Sequence, residues 1–132
     1  IIGKDIESLF KKKDKNFIFF NFNYNVLELI RLSNLVISTS INEGFGRVIV
    51  ESSLLKIPIL ASNSGAHKEL IKNNETGILA TKDSADDFFN KALQILNKEN
   101  SIKIKKMVDS AYLSFSENYN KEKYNKIIDE IF

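Results

Sequence analysis

Short apolar runs alternate with helix-spaced segments along most of this chain, and that alternation limits the fold more than any single residue does. Phe17-Ile18-Phe19-Phe20 has no polar residue between its apolar ones, so it reads as a strand covered on both faces. Leu35-Val36-Ile37-Ser38, Ile59-Leu60-Ala61 and Ile78-Leu79-Ala80 read as further strands, with Pro58 at the only place a strand tolerates it, its start. Between them lie helical patterns. Ile6, Leu9 and Phe10 share one face, Val26, Leu29 and Ile30 another, the segment from about Arg47 is apolar nearly all round, and Glu69-Leu70-Ile71 ends a short helix. Such alternation predicts an α/β domain, a Rossmann-like, doubly wound parallel sheet flanked by helices.

A helical tail is expected to follow. Ala85, Phe88, Phe89, Ala92, Leu93 and Leu96 keep helical spacing after a cap at Asp83 or Ser84; Ile104, Met107, Val108, Ala111, Tyr112 and Phe115 repeat it; Tyr124, Ile127, Ile128 and Ile131 form a last helix. Asn23 or Asn25 is the expected cap of the helix at Val26, and Asn73-Asn74-Glu75-Thr76-Gly77 has turn chemistry. Ser52 and Ser53 are small enough to let their helix lie close to the sheet.

With 132 residues and 43% hydrophobic content, the chain makes one domain with a sizeable core. A net charge of +2, with acids scattered among the lysines, gives no basis for a nucleic-acid partner. The absence of cysteine removes disulfides, thiolate metal sites and thiol nucleophiles. No apolar run approaches the roughly 20 residues of a membrane span, so the expectation is a soluble, cytoplasmic protein. The opening Ile1-Ile2-Gly3 looks like the end of a strand and its turn, which suggests the later part of a longer polypeptide.

Chemistry concentrates between Ser38 and Glu51. The strand at Leu35 passes through Glu43-Gly44-Phe45-Gly46 into the helix at Arg47, and seven residues separate Glu43 from Glu51. At such a joint the unpaired N–H groups and positive end of a helix face out of the sheet's carboxyl edge, where open α/β sheets bind anions. Gly44 and Gly46 have no Cβ to hold a ligand off, and the N–H groups from Phe45 to Val48 would face a group such as a diphosphate. A carboxylate repels phosphate, so Glu43 and Glu51 are expected to face sugar hydroxyls, since an ionised carboxylate accepts two donors from a vicinal diol. Spacing alone leaves a plainer alternative: Arg47 and Glu51, four apart on a helix, form a surface pair. His67, the only histidine, is expected on the surface or as a cap, and Asp86-Asp87 as solvated.

The Glu-Gly-Phe-Gly element, the paired glutamates, Pro58-Ile59-Leu60-Ala61-Ser62 and the Ser64-Gly65 loop ending at Glu69 closely resemble the C-terminal, nucleotide-sugar-binding domain of family 4 (group 1) glycosyltransferases, which have the two-domain GT-B fold. The resemblance implies that residues 1–132 are a single, N-terminally truncated donor-binding domain. Glu43, as the catalytic-site residue, would contact the transferred sugar; Gly44, Phe45, Gly46, Arg47 and Val48 would hold sugar and diphosphate; Glu51 would take the ribose hydroxyls. It also implies a retaining transferase that moves a hexose-type sugar from a UDP- or GDP-sugar to a glycan or glycolipid acceptor, with no metal and no cofactor. The partner would be the N-terminal acceptor domain of the same polypeptide, with peripheral association at the inner membrane face as an open option.

Arg47 stands where the family has an aliphatic residue, and Ala66 where it has a second glycine. The family's diphosphate-clamping basic residues come from upstream of Ile1, so the 132 residues alone are expected to be inactive. A nucleotide-sugar epimerase of the same architecture, an α/β receiver or flavin module, and a non-catalytic interaction module are the alternatives.

Overall fold

The structure, a computed structural model, describes residues 16–20, 25–41 and 44–118. Its elements run in the order α1 (Val26–Arg31), β1 (Val36–Ser38), α2 (Arg47–Leu54), β2 (Ile59–Ser62), α3 (Gly65–Leu70), β3 (Ile78–Ala80), α4 (Ala85–Leu96), a 3-10 turn (Lys98–Asn100) and α5 (Ser101–Asn118). The three strands form a parallel sheet in the order β1-β2-β3, with Ser38 opposite Ala61 and Ser62 opposite Ala80. Stepwise order in a parallel sheet requires each connection to cross back over a face, and α2 and α3 do so.

Strand pleating sorts the core into two layers. Ile59, Ala61 and Leu79 point to one side, where Ile49, Val50, Ile71 and Phe115 are buried with them. Leu60, Ile78 and Ala80 point to the other, against Ile95 and Met107. The long helix α5 therefore serves both layers, Met107 on the α4 side and Phe115 on the α2 side. Lys56 fastens α5 to the end of α2: its ammonium lies 3.3 Å from Asp109 and 4.5 Å above the Tyr112 ring. The helix α2 is buried along Ile49 to Ser53, as its all-round apolarity predicts. Ser52 satisfies its hydroxyl locally by donating to the Val48 carbonyl at 2.6 Å.

Local signals act where they were expected. Asn25 and Ser84 cap α1 and α4 through their side-chain oxygens, and residues 73–77 form a turn closed by the Asn74 N–H on the Gly77 carbonyl at 2.8 Å. Phe17-Ile18-Phe19-Phe20 differs from expectation. Residues 17–19 are irregular, Phe20 makes one isolated bridge, and Phe17 and Ile18 are 42% and 66% exposed. Apolar composition favours a pleated surface without fixing where ladder pairing occurs, and of residues 17–20 it is Phe20 that takes up a bridge. The helix at Ile6, the Asn21–Asn23 loop, the Asn23 cap and the helix at Tyr124 lie outside the described residues.

Candidate functional site

The carboxyl edge of the sheet is where β1 hands over to α2 and β2 to α3. Gly46 is the N-cap of α2 in the left-handed region, φ 67° and ψ 39°, and no side chain caps the helix. The first-turn N–H groups of Arg47 and Val48 therefore point outward without a partner among the described residues. The Ile49 N–H already bonds the Gly46 carbonyl at 2.9 Å. Val48 turns its side chain to the core, so only its backbone is available at the edge.

The two glycines do different work. A Cβ built on Gly46 would lie 2.7 Å from Leu70 Cδ1 and 3.8 Å from Ala66 Cβ, so the missing side chain lets α3 close onto the start of α2. At Gly44 a Cβ would meet nothing within 4 Å. Open space for a ligand therefore lies at Gly44, with exposed Phe45 beside it, whereas Gly46 shapes the turn by packing.

Glu51 sits one turn into α2 and is only 9% exposed. Its carboxylate makes no hydrogen bond or ion pair among the described residues, and burial pushes its pKa above the usual carboxylate range, with Arg47 opposing that rise from a distance. The Arg47 guanidinium does not come within 4 Å of it, so the surface-pair reading of Arg47 and Glu51 fails. A nearly buried, unpaired carboxylate is costly to keep and is a mark of a binding or catalytic position. Glu43 lies outside the described residues.

His67 departs furthest from expectation. It is fully buried rather than on the surface, in the first turn of α3. Its Nε2 lies 3.1 Å from the Ser38 hydroxyl, and its Nδ1 lies 2.9 Å from the Ser62 hydroxyl and 3.2 Å from the Ser62 carbonyl. Ser62 also bonds the Ser40 carbonyl, and Ser64 reaches Ser62 at 2.9 Å and Ser40 at 3.3 Å. Four serines from two strand ends thus surround one histidine. The signal that could have found them is their placement, Ser38 and Ser40 after one strand and Ser62 and Ser64 after the next.

Asp87 keeps its contact with solvent, as expected, and is paired as well. It accepts the Thr81 N–H at 2.6 Å and the Lys91 ammonium at 2.9 Å, and Lys91 first, then Thr81, lowers its pKa to about 2. These bonds tie α4 to the end of β3 and stand apart from the glycine turn. So does a groove of about 650 Å³ between the 72–76 turn and α5, at the sheet's amino edge. No three His, Asp or Glu side chains gather as a metal site among the described residues, and no helix there is long and apolar enough to cross a membrane.

The fold is that of an open α/β domain, with a glycine turn and an uncapped helix start at the sheet's carboxyl edge. A family model described as glycosyl transferases group 1 matches residues 3–114, and the chain belongs to that family. Among its relatives, an uncharacterised glycosyltransferase of Methanocaldococcus jannaschii is 29% identical over 140 residues, covering 91% of this chain and 39% of that protein. The glycosyltransferase EpsD of Bacillus subtilis is 29% identical over 80 residues, 61% of this chain and 21% of its own length. The chain thus spans well under half the length of these two relatives. Among solved structures, Anabaena HepE in complex with UDP superposes with a TM-score of 0.73 at 28% identity, covering 85% of this chain and 30% of HepE. The C-terminal domain of LpcC, a group 1 glycosyl transferase of Francisella tularensis, superposes with a TM-score of 0.67 at 25% identity, covering 80% and 54%. The fold is that of the C-terminal half of a GT-B glycosyltransferase, as the sequence resemblance implied.

Proposed function

We propose that this chain is the donor-binding domain of a retaining, metal-independent glycosyltransferase, taking a nucleotide-diphosphate sugar and serving transfer of a hexose-type unit to a glycan or glycolipid acceptor. The observation that carries the reading is Glu51: a largely buried residue whose carboxylate has no partner among the described residues, one turn inside a helix that no side chain caps. An ionised carboxylate satisfies itself by accepting two hydroxyls, and a ribose diol supplies them. The diphosphate then falls at the helix start, on the N–H groups from Phe45 to Val48. Arg47 adds a positive charge there, and the space above Gly44 admits the sugar, with Glu43 as its contact. HepE, whose structures hold UDP and UDP-glucose, supports a uridine diphosphate sugar as one candidate.

In the reaction the bond between the sugar's anomeric carbon and the β-phosphate oxygen breaks, and the electron pair leaves with the phosphate. Helix N–H groups and Arg47 stabilise that growing charge, while the acceptor oxygen forms the new bond to carbon and passes its proton to the departing diphosphate oxygen. Glu43 positions the sugar. The acceptor comes from a second, N-terminal domain of the same polypeptide, so the 132 residues by themselves bind nucleotide weakly and transfer nothing. The protein works in the cytoplasm, at the inner membrane face when its acceptor is a lipid.

Calorimetric titration with UDP- and GDP-sugars tests this. Glu51→Ala should weaken nucleotide binding by roughly a hundredfold or more, the worth of two charge-assisted hydrogen bonds. A protein that binds neither nucleotide, or a Glu51→Ala variant that binds as well as the parent, refutes it.

A further inference from the structure

The helix α3 holds both ends of the loop between β1 and α2. At the near end, His67 meets Ser38, the last residue of β1, at 3.1 Å, and Ser62 and Ser64 take the Ser40 carbonyl. At the far end, Leu70 and Ala66 close over Gly46, where an added Cβ would lie 2.7 Å from Leu70 Cδ1. Gly44 to Val48, at that far end, are the residues assigned above to sugar and diphosphate.

Hydrogen counting settles how the polar end is wired. The Ser40 carbonyl can only accept, so the Ser62 hydroxyl spends its single hydrogen there. Ser62 therefore cannot donate to His67, and Nδ1 must carry the proton, donating to the Ser62 hydroxyl and carbonyl. Nε2 is left as an acceptor, and the Ser38 hydroxyl donates to it. With a single ring proton, on Nδ1, each polar atom of the ring is satisfied. The imidazole is fully buried, so it touches no ligand. What it does is join the end of β1, at Ser38, 29 residues away in sequence, to the end of β2, at Ser62.

We infer that His67 is a positioning residue: with Ser38 and Ser62 it fixes α3 against the ends of β1 and β2, and α3, through Leu70 and Ala66, sets the turn at Gly46 whose N–H groups receive the diphosphate of the donor. This rests on the donor-binding reading above. It predicts a loss that falls on one part of the ligand. Nucleoside binding depends on Glu51, which α2 carries, whereas the diphosphate depends on the turn at Gly46.

The test measures binding of uridine and UDP, and of guanosine and GDP, to the intact protein, and uses whichever pair it binds. Ser38→Ala should lower affinity for the diphosphate by about 3–10-fold, the worth of one hydrogen bond, and leave nucleoside affinity unchanged. Ser38→Thr, which keeps the hydroxyl, should restore it. His67→Asn, which keeps a donor toward Ser62 but has no acceptor toward Ser38, should match Ser38→Ala. Glu51→Ala, by contrast, should weaken both members of the pair. If Glu51→Ala weakens binding while Ser38→Ala leaves the diphosphate-to-nucleoside ratio unchanged, the positioning role is wrong and the site stands. If the parent protein binds neither pair, both readings fall together.

Discussion

Gly46→Ala isolates the hinge on which the site is built. A Cβ at φ 67° costs about 1–2 kcal/mol from left-handed backbone alone. The same Cβ would stand 2.7 Å from Leu70 Cδ1 and 3.3 Å from Ile49 Cδ1, the far ends of two flexible side chains. Moving them adds about 1–2 kcal/mol, at the lower end of core overpacking. Restricting the unfolded chain returns about 0.4–1 kcal/mol. The net loss is about 2–3 kcal/mol, which should lower the urea midpoint by about 1–2 M at an unchanged slope. Gly44→Ala is the internal control, since a Cβ there meets nothing within 4 Å, and its stability should stay within about 0.5 kcal/mol of the parent. Equal losses for the two variants, or a Gly46→Ala midpoint that does not move, would refute the argument that Gly46 is a packing glycine and Gly44 an open one.

Two titrations follow from the charged groups. Glu51→Gln should raise stability at neutral pH by about 0.5–2 kcal/mol while weakening nucleotide binding. The folded pKa of Glu51 lies above its ordinary 4.5, so its stabilising contribution is present below 4.5 and lost as pH rises through the raised value. Thermal melts of the parent and the variant should therefore converge in acid and separate at neutral pH, and a less stable variant at neutral pH would contradict this. Asp87 has the opposite sign: its folded pKa, about 2 against an ordinary 3.8, gives stability present above 3.8 and lost as pH falls toward 2. The advantage of the parent over Asp87→Asn should shrink across that window, and an advantage constant with pH would show that the charge of Asp87 contributes nothing.

Sequence alone determined those features of this protein that depend on near neighbours. The strands at Ile59 and Ile78, the caps at Asn25 and Ser84, the buried run of α2, the turn at residues 73–77 and the parallel α/β class all follow from spacing over a few residues or from one residue's backbone preference. The resemblance that led to the family was also local, a glycine turn and an interval of seven between glutamates. Only the tertiary structure decided what each side chain faces. That His67 is buried among serines, that Gly46 makes room for Leu70, that Glu51 has no partner among the described residues while Asp87 has two, and that Phe17 and Ile18 are exposed was not legible from near neighbours in the chain. Periodicity says which face of an element is apolar; it does not say which distant group will lie opposite, because that is set by how strands register and helices close over them.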